Sequence, residues 1–269
     1  MYKKLMLTLA ICGVLSTQVV ADKLQDACDA KGNTFIYAGG ECIEYYKADG
    51  DSEGFLNIIV HGSWPDGTNT LGRYAPFADN IAMATDTITV AVSLPGYSKS
   101  SNNKLKTLIK GGKTPLATTK EYVKFMEELV IALKNKYDAN TVTYVGHSAG
   151  AIMGATVSGK NPDLIQNIAL VGGRYDIHEV SKEKNLISAV DVINNINKDM
   201  KMVLIYGDKD TISAPKVTID FYNLAKRKGF SPKLIEVKGG VHVDLDMSDE
   251  SVKAIAEMVD NSKKQKAKK

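Results

Sequence analysis

Tyr144-Val145-Gly146-His147-Ser148-Ala149-Gly150 sets a G-x-S-x-G between two different periodicities. Thr141 to Val145 before it is rich in β-branched residues, and Ser148 to Ser158 after it reads as a helix ended by Gly159 and Pro162. A strand that turns this sharply into a helix forces the serine into a strained backbone conformation. Glycines two residues to either side avoid collisions, and the hydroxyl is pushed out above the sheet edge. The stretch therefore predicts a nucleophilic Ser148 and a parallel α/β architecture together.

Moving outward, strand-like and helical runs alternate. Strands are predicted over Phe35 to Tyr46, divided at Gly39-Gly40, and over Phe55 to Val60, Thr87 to Ser93, Thr141 to Val145, Ile165 to Val171, Met202 to Tyr206 and Lys233 to Val237. Runs such as Asn57-Ile58-Ile59-Val60 lack polar alternation, as expected of strands covered by helices on both faces of a mostly parallel sheet. Helices are predicted over Thr118 to Lys136, where Tyr122, Phe125, Met126, Leu129, Val130 and Leu133 form one apolar stripe, and over Ala214 to Lys228 and Asp249 to Ser262. The connections Pro95 to Pro115 and Gly172 to Lys201 are the longest, the second with a weak helix around Leu186 to Ile196. Neither is large enough for a lid domain.

A serine hydroxyl needs an imidazole to take its proton and a carboxylate to orient that imidazole. Of the four histidines, His242 lies in Gly239-Gly240-Val241-His242-Val243, between the last predicted strand and the last helix, where a base on the sheet's carboxyl edge would originate. His147 adjoins the serine and would leave the turn in another direction. The acid is expected beyond the preceding strand, in Gly207-Asp208-Lys209-Asp210. Asp210 is assigned to His242, and Asp208 to capping its own loop through backbone amides. Oxyanion donors are expected from the amide of Ala149 and from the turn Val60-His61-Gly62-Ser63-Trp64, with Ser63 first and Trp64 next, leaving His61 a structural role. Trp64, Arg73, Tyr74, Tyr97, Arg174 and Tyr175 are expected in loops that could line a substrate pocket, Trp64 and Tyr97 foremost.

With these residues in that order, the chain resembles the α/β-hydrolase superfamily of serine esterases, lipases and peptidases. The resemblance runs from His61-Gly62 through Gly146–Gly150 and Gly207-Asp208-Lys209-Asp210 to Gly240-Val241-His242, and Leu94-Pro95-Gly96-Tyr97 looks like the turn after the superfamily's fourth strand. It implies a doubly wound, mostly parallel sheet of about eight strands flanked by helices, and the chain order of nucleophile, acid and base, Ser148, Asp210, His242, is that of the α/β-hydrolase triad. The sequence departs from the superfamily in the second oxyanion segment, which reads Gly-Ser-Trp where Gly-Gly is common.

Met1 to Ala21 reads as a secretory signal: Lys3-Lys4, an apolar stretch from Leu5 to Leu15, then small residues at Val19 and Ala21. Cleavage after Ala21 drops two of the 34 basic residues and no acid, so a net charge of +3 falls to +1, and nothing attracts nucleic acid globally. Stable membrane insertion is not expected. Five lysines crowd residues 263–269 as a solvated basic tail, leaving 22–262 as the folded domain. Export would carry Cys28 and Cys42 into an oxidising compartment, periplasmic or extracellular, where a disulfide between them is expected.

Competing motifs fail on residue identity. Thr107 stands where a phosphate loop ending in Gly112-Lys113-Thr114 needs glycine. Ser101-Asn102-Asn103-Lys104 lacks the companion motifs of β-lactamases. The run from Asp244 has Asp249 and Ile255 where a calcium loop needs glycine and glutamate. No metal or cofactor is called for. The expected activity is hydrolysis of carboxylic esters with small to medium acyl groups. A serine peptidase of the prolyl oligopeptidase-like type acting on short peptides and a non-catalytic binding protein on the same fold are the alternatives.

Overall fold

The structure, a computed structural model, describes residues 22–100, 103–106, 108 and 115–268. The expected signal segment Met1–Ala21, the serine of the S-x-x-K run, Thr107 with Gly111–Thr114, and Lys269 lie outside the described residues.

A helix over residues 22–29 (α1) leads to a hairpin of β1 (Phe35–Ala38) and β2 (Glu41–Ala48), which turns at Gly39 and Gly40 with φ of 60° and 87°. Those left-handed angles suit residues without a Cβ. The disulfide Cys28–Cys42 ties α1 to the start of β2. There follow β3 (Phe55–Val60), α2 (Thr70–Thr85), β4 (Thr89–Val92), α3 (Lys120–Lys136), β5 (Thr141–His147), α4 (Ala149–Lys160) and β6 (Asn167–Val171). The single-turn α5 (Ala189–Val192), β7 (Lys201–Gly207), α6 (Pro215–Arg227), β8 (Lys233–Val237) and α7 (Asp249–Lys266) complete the described chain. The eight strands form one sheet in the order β1-β2-β4-β3-β5-β6-β7-β8. Only the β1/β2 and β2/β4 pairings are antiparallel, and the rest are parallel.

The missing polar alternation in the strands has a physical cause. Every residue of β3, β4 and β6 is buried. Alternate side chains go to opposite faces: Ile58, Val60, Tyr144, Leu170 and Leu204 join the core under α3 and α4, whereas Ile59, Val145, Val171 and Ile205 join the core under α2 and α7. On α3 the predicted stripe is buried, each side chain of that size contributing about 1.5–3 kcal/mol. Thr119 Oγ1 accepts from the Tyr122 amide to start the helix, and Lys134 and Lys136 sit favourably at its carboxyl end.

Two expectations need correction. Helix α2 was not anticipated: Pro76 sits inside it, and its buried face is built from Tyr74, Phe77, Ala78, Ile81 and Ala82. The Asn69 side chain caps its start by accepting from the Gly72 amide at 3.2 Å. The run from Lys263 is also not a frayed tail. Helix α7 continues to Lys266, and Lys263 Nζ donates to the carbonyl of Thr85 and to Ser52. Lys266 Nζ donates to Asn140 and lies over the Phe55 ring. Among the described residues no helix is long and apolar enough to cross a membrane.

Candidate active site

Ser148 follows the last residue of β5 and precedes α4, with φ 54° and ψ −115°. For a residue with a Cβ this region costs about 1–3 kcal/mol and persists only where the surroundings enforce it. The Ser148 amide donates to the Val171 carbonyl at 2.8 Å, pinning the turn to β6. The flanking glycines are required by close approach: a Cβ on Gly146 would fall 2.4 Å from the Gly150 oxygen, and one on Gly150 would fall 2.2 Å from the Val60 oxygen.

His242 opens a 3-10 segment, His242–Met247, that connects β8 to α7. Its Nε2 lies 2.9 Å from Ser148 Oγ and its Nδ1 lies 2.7 Å from Asp210 Oδ2. Because a carboxylate only accepts, Nδ1 carries the hydrogen and Nε2 presents its lone pair to the serine hydroxyl. The other Asp210 oxygen accepts from the amides of Ile212 and Ser213 at 2.9 and 2.8 Å, which fixes the carboxylate plane. Asp208 does something else: its Oδ1 accepts from the Gly239 amide at 2.6 Å, closing the loop that delivers His242. The structure thus brings together Ser148, Asp210 and His242 from the ends of three parallel strands.

The turn after β3 approaches from the other side. A Cβ on Gly62 would lie 2.8 Å from Ser148 Cβ, so that turn touches the serine. His61 holds it in place, donating from Nδ1 to the Gly62 carbonyl at 2.7 Å and accepting from the Leu94 amide at 3.1 Å through Nε2. Burial pushes the His61 pKa down to about 4, so the ring is neutral. Ala149 stands at the amino end of α4, where helix amides lack intrahelical partners.

Ser63 and Ala149 line a cleft of about 240 Å³ with Ser148 and His242. Its other walls include Tyr97, Ala117, Ile152, Arg174, Ile177 and Ile212. Tyr97 is braced by its hydroxyl, which accepts from the Ala117 amide at 2.9 Å, and burial pushes its pKa up to about 12. Trp64, expected as a pocket wall, does not line this cleft; its ring faces Arg73, whose guanidinium sits 5.5 Å from the ring centroid. Arg73 and Tyr74 are on α2, not in a loop. Arg73 bonds Asp244 and the Val243 carbonyl, and Tyr74 is buried. Tyr175 is likewise buried, stacked 4.3 Å from Phe221. Sequence reasoning missed Ile152, Ile177 and Ile212, because isolated aliphatic residues carry no sign of which surface they face.

The profile of the α/β-hydrolase fold family matches residues 58–199. The chain belongs to the α/β-hydrolase fold family. Solved α/β hydrolases share the architecture at low identity. A meta-cleavage product hydrolase of Pseudomonas fluorescens is 13% identical, with a TM-score of 0.62 over 86% of this chain and 98% of its own. An esterase of Pyrococcus furiosus is 16% identical, with a TM-score of 0.64 over 86% and 91%. A ferulic-acid-bound protein of Butyrivibrio proteoclasticus is 14% identical, with a TM-score of 0.59 over 88% and 100%. No curated protein sequence matches the chain. At such identities the likeness speaks to the α/β-hydrolase fold alone.

Proposed function

We propose that the protein is an exported serine hydrolase that cleaves carboxylic esters of small to medium acyl groups through an acyl-enzyme on Ser148. The observation that carries this reading is the chain of contacts from Asp210 through His242 to Ser148, 2.7 and 2.9 Å long, aimed into a cleft. In the reaction His242 Nε2 takes the Ser148 proton as Oγ attacks the ester carbonyl. Asp210 stabilises the imidazolium that forms, and the amides of Ala149 and Ser63 receive the developing oxyanion, each such donor being worth roughly 3–4 kcal/mol. His242 then returns the proton to the departing alcohol, and water repeats the sequence to release the acid.

The cleft of about 240 Å³ favours modest acyl groups over long lipid chains. Export rests on Met1–Ala21 and is supported by the Cys28–Cys42 disulfide, since such bonds persist in oxidising compartments. A fluorophosphonate probe should label wild-type protein and not Ser148→Ala. Turnover of p-nitrophenyl esters of increasing chain length should exceed that of aminoacyl and prolyl anilides. Absence of labelling would overturn the reading, and faster turnover of anilides would replace the esterase with a peptidase.

A further inference from the structure

Among the described residues that line the active-site cleft, Arg174 alone carries a fixed formal charge. The other titratable walls are His242, which the reaction uses as a neutral base, and Tyr97, whose phenol burial keeps protonated. No Asp or Glu is among them.

The place of the guanidinium is set by its neighbours. Arg174 follows Gly172-Gly173 at the end of β6. A Cβ on Gly172 would lie 3.4 Å from both Asp210 Oδ2 and His242 Nδ1, so the chain leaves the strand against the triad itself. The Gly173 carbonyl accepts from the Ser213 hydroxyl at 2.8 Å, and Tyr175 is buried against Phe221, so the residues on either side of Arg174 are both anchored. Arg174 Nη2 donates to the Ile212 carbonyl at 3.1 Å, and the Ile212 amide donates to Asp210. One residue thus ties the arginine to the acid of the triad.

A guanidinium has five N–H donors, and this main-chain oxygen meets one of them. Among the described residues no carboxylate forms an ion pair with Arg174. Its acidic neighbours Asp176 and Glu179 border a different groove, with Lys216 and Arg227. Around it the cleft is aliphatic, walled by Ile152, Ile177, Val180 and Ile212, and the hydroxyls of Thr118 and Ser213 are spent on main-chain carbonyls. A hydrocarbon chain entering this cleft takes water from the cation and gives nothing back. A carboxylate gives back paired N–H···O bonds that match the guanidinium fork, and apolar walls strengthen the attraction.

We propose that the protein selects half-esters of aliphatic dicarboxylic acids, with Arg174 receiving the free carboxylate of the acyl part while Ser148 attacks the ester carbonyl. The acyl part stays bonded to Ser148 after the alcohol leaves, so a contact there serves both halves of the reaction, and the aliphatic walls hold the methylenes between its two ends. Arg174 determines specificity and takes no part in bond making. The proposal rests on the reading of Ser148, His242 and Asp210 as a hydrolytic centre.

The test compares kcat/KM at pH 7.5 for monomethyl adipate and for the same ester with its free acid replaced by a primary amide, using wild type, Arg174→Gln and Arg174→Lys and following methanol release. Wild type should favour the acid by about tenfold or more. Arg174→Gln should bring the ratio close to one, and Arg174→Lys, a point charge without the fork, should give an intermediate ratio. The ratio separates recognition from a structural role, because a disturbed Ile212 loop slows both esters alike. A wild-type ratio near one, or a high ratio retained in Arg174→Gln, overturns the proposal. So does a preference seen only when the carboxylate is on the alcohol side, in pentanoyloxyacetate against pentanoyloxyacetamide. If Arg174→Gln does not fold, wild type decides: adipate should inhibit turnover of the amide ester at about tenfold lower concentration than adipamide, and equal inhibition overturns the assignment. Wild type that labels with a fluorophosphonate and turns over the amide ester without favouring the acid sinks this proposal alone. Wild type that neither labels nor turns over any ester sinks the hydrolase reading and this one with it.

Discussion

His242 Nε2 stands 2.9 Å from Ser148 Oγ although 94 residues separate them along the chain. The contact exists because β5 and β8 end on the same edge of a parallel sheet. Replacing either side chain should abolish turnover without unfolding the protein, since neither carries the core. Ser148→Ala and His242→Ala should each lower kcat on the order of 10⁴-fold or more, with circular dichroism and Tm close to wild type. Retained turnover in Ser148→Ala would remove the nucleophile assignment.

The two acids after β7 should behave differently. Asp210→Asn keeps the shape but favours the wrong imidazole tautomer, so kcat should drop on the order of 10⁴-fold. The Asp208 carboxylate meets only the Gly239 amide among its described hydrogen-bond partners, and Asp208→Asn should stay within about tenfold of wild type. Comparable losses in the two variants would show that Asp210 is not the orienting acid.

Stability should fall on acidification through the buried imidazole of His61. In the folded protein its pKa is about 4, against an ordinary 6.5, so between those values the unfolded chain binds a proton that the folded chain refuses. Stability therefore rises with pH across that window, and the loss on going from pH 7.5 to 5 should be about 2 kcal/mol from this residue. Burial also lowers the pKa of His147, which acts in the same direction. Urea unfolding of wild type and His61→Gln at both pH values measures the difference, and equal acid losses would refute it.

Removing the Cys28–Cys42 bond should cost stability and spare the chemistry. The bond closes a loop of 14 residues' separation, and losing it should lower unfolding free energy by roughly 2–4 kcal/mol. The double alanine variant should unfold at lower urea yet keep wild-type kcat at 25 °C, because neither cysteine borders the cleft. A large loss of kcat in folded double variant would count against this.

The sheet was legible because parallel strands advertise themselves. The predicted limits of Phe55–Val60 and Lys233–Val237 coincide with β3 and β8, and the hairpin turns at Gly39-Gly40 as read. Convergence of Ser148, Asp210 and His242 was foreseeable because each follows or borders a strand, so fold and chain order alone bring them to one edge. Helix α2 was not, since an internal proline and small apolar residues blur a 3.6-residue period. That omission also misplaced Arg73 and Tyr74 among the loops. Trp64 was misread for another reason: its partner Arg73 is nine residues away, and nothing local says that the ring turns to it.

The final turn of α7 links distant parts of the molecule through its ammonium groups, Lys263 reaching the carbonyl at the end of α2 and Lys266 reaching the start of β5 through Asn140. Anyone shortening the gene to stop at Ser262, or abutting a rigid fusion there, would cut these fasteners and loosen the underside of the sheet, opposite the serine. A recombinant version should keep every residue through Lys268 and place its purification handle behind a flexible spacer.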